Sequence, residues 1–425
     1  MSHLLGTPFP VAPLRRFVIE LTDGPFGSSL TSSHYSEYGA RVIRLGNIGS
    51  AEFKSDDEAY IPLDYFNYLR RHEVAPGDLI IAGLGDQKHP VGRACVAPTG
   101  LGPAIVKADC FRARLDESRL LHRYSAWALS SSAISQQILT LTRGTTRARI
   151  NLDLVRDIEL PVPPIEEQRR IADFLDTETG RMDRLANSQL RLTHLIKERE
   201  ETAVDQTLRD AASRMIRLKH LLEAPPSYGA NEAAEHRRRD WPRYIRTTDI
   251  TEDGGLREET FASLPPEAAR PYLLDDGDLL FVRSGATAGK SFLYRSRFGP
   301  AAHAGYLIRA RVNHEIVLPR LIWYFSRTPT YWQQISEGTI QATIQNVNAE
   351  KYGNLLTPYM EPSRQASTLR ELDSLTEWSR KVKQRAHRLL DLLAERRQAL
   401  ITAAVTGQFD VSTAGGRNVT EGVSA

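Results

Sequence analysis

The sequence predicts an α+β chain built twice. It should hold two similar mixed α/β domains separated by two long antiparallel coiled-coil helices, with a pseudo-two-fold internal repeat. Three observations predict this. First, landmarks recur at one spacing: Arg112-Ala-Arg-Leu115 returns as Arg309-Ala-Arg-Val312 (309 − 112 = 197). Leu160-Pro161 against Thr357-Pro358, and Glu198-Arg199 against Glu395-Arg396, keep that spacing. Repetition at a fixed period marks a duplicated structural unit. Second, each half opens with short β-branched and aromatic runs punctuated by Gly, Pro and Asp, which read as strands and turns. Third, each half closes on a long charged segment with an apolar seam at alternating three- and four-residue steps.

The elements follow in order. Residues 1–160 form the first domain, with strands over 40–48, 78–82 and 104–115 and a helical patch over 120–141. Pro161-Val-Pro-Pro164 ends it, and a helix occupies 161–210. Its seam is Ile171, Leu175, Met182, Leu185, Leu192 and Ile196, with Gln189 polar in register. Gly180 inside it costs about 1 kcal/mol relative to alanine. The second domain covers 211–360, with a helical patch over 318–335. The second helix covers 361–411, with its seam at Leu372, Val382, Leu389, Leu393 and Leu400. A helix of about 40 residues spans roughly 60 Å. The chain leaves the first domain along one helix and returns along the other, so they should pair antiparallel. Small polar residues fill 412–425, which reads as a disordered tail.

Composition bounds the function. Apolar content of 41% and charged content of 25% suit a folded domain protein. No apolar run approaches the ~20 residues of a membrane span, and the N-terminus lacks a secretory pattern. Two cysteines, Cys95 and Cys110, are too few for a disulfide framework or a structural zinc site and favour the cytoplasm. The net charge of +3 says little by itself. Arginines cluster at 143–149, 237–239 and at Arg243 with Arg246, which fits an anionic partner met by one face.

One stretch resembles a nucleotide-phosphate loop: Ser284-Gly-Ala-Thr-Ala-Gly-Lys-Ser291, behind the apolar run that ends at Val282. That loop requires two glycines with four residues between them. Here Gly285 and Gly289 have three. Gly92-Arg93 is the first-half counterpart of Gly289-Lys290, whereas the upstream Gly77-Asp78 lies 200 residues before Gly277-Asp278 (277 − 77 = 200). The first copy of the loop is therefore three residues longer. A phosphate cradle does not tolerate such a change, and a recognition loop does. Other chemistry is missing too. Ala224-Pro-Pro-Ser-Tyr228 lacks the leading amide or acid of an amino-methyltransferase motif, and Glu52-Phe-Lys54 lacks the partner acid of a nuclease. The eleven histidines make no metal-ligand pattern. The expectation is a chain with no catalytic or metal site and no cofactor.

Leu160-Pro-Val-Pro-Pro-Ile-Glu-Glu-Gln-Arg-Arg-Ile-Ala-Asp-Phe-Leu175 resembles the segment that opens the conserved helix in specificity (S) subunits of type I restriction-modification systems. Ala399-Leu-Ile-Thr-Ala-Ala-Val-Thr-Gly-Gln-Phe-Asp410 resembles that family's closing segment, and the 284–290 loop is similar to a pattern in its target recognition domains. The second helix opens on a degraded form, Glu361-Pro-Ser-Arg-Gln365. The resemblance implies a sequence-specific DNA-binding subunit without catalysis of its own. Each target recognition domain would read one half of a bipartite double-stranded DNA target. The helices would set the gap and dock two methyltransferase (M) subunits, which carry S-adenosylmethionine, and restriction (R) translocase-nuclease subunits would join. The alternative is a stand-alone two-domain DNA-binding protein.

Phosphates are met by Arg and Lys, and base edges by Arg, Asn, Gln, Ser and Thr. Expected DNA-binding residues in the first half are Arg44, Asn47, Gln87, Lys88, His89, Arg93, Arg143, Thr145, Thr146, Arg147 and Arg149. In the second half they are Arg246, Thr247, Thr248, Arg283, Ser284, Thr287, Lys290, Thr339, Gln341, Thr343, Gln345 and Asn346. Expected partner-binding residues are Ile165, Gln168, Ile171, Leu175, Val405 and Phe409.

Overall fold

The computed structural model describes residues 6–86, 88–142, 148–251, 254–337 and 346–411. The chain divides into two units. One is residues 1–188 with 388–425, and the other is residues 189–387. The long helices Ile165–Ala211 and Pro362–Val405 each give one end to each unit. The first helix runs through Gly180 without a break.

Unit 1 is built on a four-stranded antiparallel sheet in the order Val18–Asp23, Cys110–Leu115, Leu79–Ala82, Ala94–Val96. A three-stranded sheet beside it pairs Ala40–Ile43 parallel with Ala104–Val106. The apolar run over 104–115 is thus two strands, not one. A turn closed by the Cys110 N–H on the Lys107 carbonyl separates them, with Asp109 at φ +65°. Each strand serves a different sheet. The helical patch likewise splits into His122–Leu129 and Ser132–Leu141, because the Ser131 side chain caps the second piece by accepting from the Ile134 N–H. Leu79, Ile81, Tyr124 and Ile138 make the main core, which Ile171, Leu175, Leu400 and Val405 of the long helices complete.

Unit 2 repeats the plan. Its sheet runs Ser227–Tyr228, Leu307–Ala310, Leu279–Val282, Ser291–Leu293. Arg243–Ile245 pairs parallel with Ala301–His303. Thr328 caps the helix Pro329–Ser336 as Ser131 does in unit 1. Phe281, Tyr331, Tyr352, Leu208 and Leu372 lie in its core.

The repeat extends to individual buried hydrogen bonds. Gln168 accepts from the Leu121 N–H and donates to the Arg119 and Pro163 carbonyls. Gln365 does the same to Leu318, Ile316 and Met360, each partner shifted by the same 197 positions. Asp176 receives Arg123 and the Trp127 Nε1–H, and Asp373 receives Arg320 and the Tyr324 hydroxyl. Gln137 brackets the backbone of Glu159 as Gln334 brackets Leu356. The Gln168, Gln365, Asp176 and Asp373 sets hold each domain to the helix that follows it, and Gln137 and Gln334 tie a short helix of each domain to its last strand.

Within each unit the helix ends run antiparallel. In unit 1 the Phe174 ring meets that of Phe409 at 5.6 Å, and Asp183 pairs with Arg397. In unit 2 Glu200 receives Lys383 at 2.7 Å. Of the expected seam, Ile171, Leu175, Met182 and Ile196 are buried, the first three within the core of unit 1. Leu185 and Leu192, expected inside it, are exposed at 43% and 41%.

Candidate nucleic-acid interface

The loop that resembled a phosphate cradle is a β-hairpin turn. Lys290 leads into the strand Ser291–Leu293, which pairs back on Leu279–Phe281. A cradle of the nucleotide type needs a helix at that point, whose N-terminus supplies the positive end of a dipole. The Gly289 N–H instead donates to the Val282 carbonyl, and the Val282 N–H to the Lys290 carbonyl. Gly289 has φ +90°, and a Cβ there would sit 2.6 Å from the Trp332 ring and 3.1 Å from Ile335. Its counterpart Gly92 has φ +83° and backs onto Ile138 in the same way. These glycines let the hairpin lie flat on the helix behind it.

In each unit the fold brings this hairpin beside a segment some 60 residues further along. In unit 1, Leu84–Gly85 pairs antiparallel with Ala148–Arg149, and the Ile150 N–H donates to the Gly83 carbonyl at 2.9 Å. In unit 2, Ser284 bridges to Asn346, and the Val347 N–H donates to the Arg283 carbonyl at 2.8 Å. Exposed polar side chains collect at that edge: Lys88, His89 and Arg149 in unit 1, and Thr287, Lys290 and Asn346 in unit 2. Arg283 and Ser284 are half-buried beside them. Asp86 turns the first hairpin, its carboxylate accepting the Lys88 and His89 N–H groups at 2.8 Å. Those backbone bonds hold its pKa below the usual carboxylate range.

Sequence reasoning missed an aromatic at each edge. Arg149 lies over the ring of Phe26 at 5.9 Å, and Arg283 over that of Tyr228 at 5.1 Å. Both rings are partly open, at 45% and 43%. Each sits in a Pro/Gly/Ser stretch, 24–29 and 225–229, that reads only as a turn. Arg149 is also paired with Asp109 at 2.7 Å, whereas the ring holds Arg283 in place with its edge donors still pointing outward from the stack.

Other expected residues serve the fold. Asn47 is fully buried; its amide accepts from the Arg44 N–H and donates to the Lys54 and Asp57 carbonyls. Arg44 pairs with Asp57. Arg246 is tied to Asp249 at 2.9 Å and to the Thr260 carbonyl, and Asp249 takes the place of Asn47 in the second copy. Thr247 is half-buried and Thr248 is exposed. Arg93 is 6% exposed and its nitrogens all go to carbonyls, so it is not a loop-tip DNA contact. Two arginines of the run 237–239 are also spent: Arg238 pairs with Asp240 over Trp241, and Arg239 with Glu258 over Phe261. Gln87, Arg143, Thr145, Thr146, Arg147, Thr339, Gln341, Thr343 and Gln345 lie outside the described residues, as does the 412–425 tail.

The expected partner-binding set is corrected. Gln168, Ile171, Leu175 and Val405 are 0–1% exposed inside the core of unit 1. Gln168 spends its amide on the chain's own backbone. Phe409 packs edge-on to Phe174, and Ile165 is half-buried. Gln168, Ile171, Leu175, Val405 and Phe409 bind the helices to the domain they belong to. The exposed apolar side chains of the helices are Leu185, Leu190, Leu192, Leu195, Trp378 and Leu392.

Residues 66–190 match the family model of the type I restriction modification DNA specificity domain. The chain is 20% identical over 387 residues to the type I restriction enzyme StySPI specificity subunit of Salmonella potsdam, covering 87% of this chain and 82% of that protein. It is 26% identical over 143 residues to the EcoKI specificity subunit of Escherichia coli strain K12, 33% of this chain and 30% of that one. A chain solved in work on complex assembly and conformational transition of the type I R-M system shares the fold. There the TM-score is 0.69 at 16% identity, over 95% of this chain and 99% of the other.

Proposed function

We infer that this chain is a DNA-specificity subunit of a type I restriction-modification system, on its similarity to that family, and that each unit reads one half of a bipartite double-stranded target. The observation that carries this is the repeated scaffold with unlike loops. Buried bonds recur at a fixed spacing, from Gln168 to Gln365 and from Asp176 to Asp373. The edge they support presents Lys88, His89 and Arg149 in one unit and Thr287, Lys290 and Asn346 in the other. One frame carrying two sets of donors suits two different half-sites.

Lys88, Lys290 and the ring-stacked Arg283 meet phosphates or guanine edges; His89, Thr287 and Asn346 are placed to meet bases. The long helices, each running from one unit into the other, set the spacing of the half-sites and receive two methyltransferase subunits on their exposed apolar residues. Those subunits hold S-adenosylmethionine and perform the methylation, restriction subunits join the same complex, and this chain supplies recognition without catalysis. The test is exchange of residues 1–160 for the matching domain of a related subunit, followed by sequencing of methylated DNA from cells with the whole system. One half of the methylated motif should change. Change in both halves, or in neither, would sink the modular reading.

A further inference from the structure

Arg93 and Lys290 occupy equivalent positions and meet different fates. Lys290 is exposed at the end of its hairpin. The Arg93 guanidinium is buried and bonds five carbonyl oxygens drawn from two loops. Nε donates to Ile48 at 2.7 Å and Nη2 to Leu45 at 2.9 Å. Nη1 donates to Leu84, His89 and Pro90 at 3.1–3.3 Å. We propose that Arg93 is a positioning residue for DNA reading by unit 1, its guanidinium locking the 44–49 loop to the 83–92 hairpin so that Lys88 and His89 meet the half-site in fixed register. This rests on the reading of unit 1 as a half-site reader.

Three arguments support it. Burying a cation is expensive, and here carbonyl dipoles rather than a carboxylate compensate it; burial itself pulls the Arg93 pKa below its ordinary range. An apolar side chain would fill such a place at lower cost, so packing alone does not call for arginine. Unit 2 provides the internal comparison, since the same hairpin forms there with Lys290 outside. The fold therefore does not require the clamp. Finally, the unit 1 hairpin is the longer copy, and longer loops have more freedom to lose.

The experiment uses the full chain with its complete system in cells, carrying Arg93→Met or Arg93→Lys, with methylated DNA sequenced at base resolution. Wild-type chain should give a bipartite motif; if it does not, the reading of the units fails, and this proposal with it. In Arg93→Met, the half-site assigned to residues 1–160 should relax, with at least tenfold more methylation at sites one base away from consensus. The other half should stay as strict as in wild type. Arg93→Lys, which keeps the charge but cannot span both loops, should relax the same half to a smaller degree. It decides the matter if the methionine variant does not accumulate folded. A first half-site that stays strict, or equal loss at both half-sites, overturns the proposal.

Discussion

Replacing Gln168 by Glu tests whether this residue serves the fold or a partner. The substitution keeps shape and the Oε1 acceptor, which holds the Leu121 N–H at 2.9 Å. It replaces a donating nitrogen by oxygen 3.0 Å from the Arg119 carbonyl and 2.9 Å from that of Pro163. Each buried acceptor left without its donor costs about 1–3 kcal/mol, so unit 1 should lose about 2–6 kcal/mol. Burial and two facing carbonyls raise the pKa of the new carboxyl above its unfolded value. Below that raised value the carboxyl is protonated and donates one bond; above it, an ion faces two oxygens. The deficit should therefore be smaller at pH 5.5 than at pH 8, and grow as pH rises. Calorimetric unfolding at both pH values, with hydrogen exchange to locate the loosened backbone near 119–121 and 163, reads the effect. Gln365→Glu should do the same to unit 2 at 316–318 and 360. A Gln168→Glu chain as stable as wild type at both pH values would refute the reasoning.

Three further outcomes follow from the geometry. Gly289→Ala should destabilise more than Gly285→Ala in urea titration. Both have φ near +90°, which costs about 1–2 kcal/mol for a residue with a Cβ. Only Gly289 is backed by Trp332 and Ile335, adding about 1–3 kcal/mol of overpacking, and equal losses would contradict this. His303 is fully buried, and burial lowers its pKa to about 4. The unfolded chain binds the proton first, so unit 2 should lose about 3 kcal/mol as pH falls from 6.5 towards 4. His303→Gln should flatten that slope in unfolding measured from pH 7.5 to 4.5, and an unchanged slope would place the acid sensitivity elsewhere. Lys88→Ala and Lys290→Ala should each reduce the slope of log affinity against log salt by about 0.9 on a target duplex. An unchanged slope in both would mean that the hairpin tips do not meet the DNA backbone.

Much of the architecture was legible because it is periodic. The duplication, both long helices and the strands at 40 and 79 follow from spacing and alternation. The rejection of the phosphate cradle also followed from spacing, and the strand after Lys290 gives its physical reason. The side-chain roles were less legible. Arg44, Asn47, Arg93 and Arg246 have the composition of DNA readers, yet backbone carbonyls and acids take them up, some as near as Asp249 to Arg246 and others as far as Leu45 and Ile48 from Arg93. Such partners are set by tertiary closure, which no local pattern encodes. The apolar seam misled in a similar way. Ile171 and Leu175 show the spacing of a helix-pairing stripe, but that face covers a domain core, while Leu185 and Leu192 lie open. Phe26 lies in a loop and Tyr228 on a two-residue edge strand inside Pro/Gly/Ser stretches, so no periodicity marks them as partners of an arginine until the chain closes.

The discontinuity of unit 1 has a consequence for biosynthesis. Leu400, Ile401, Ala404 and Val405 belong to the core started by Leu14 and Leu79, whereas all of unit 2 lies within 189–387. On the ribosome, the domain begun first is finished last. Unit 2 has every residue of its core in hand while the nascent first domain still exposes the groove that residues 400–405 will fill. A stalled or truncated product would thus carry a completed second domain beside a first one still open and prone to aggregate. The order of domain completion is the reverse of the order of synthesis.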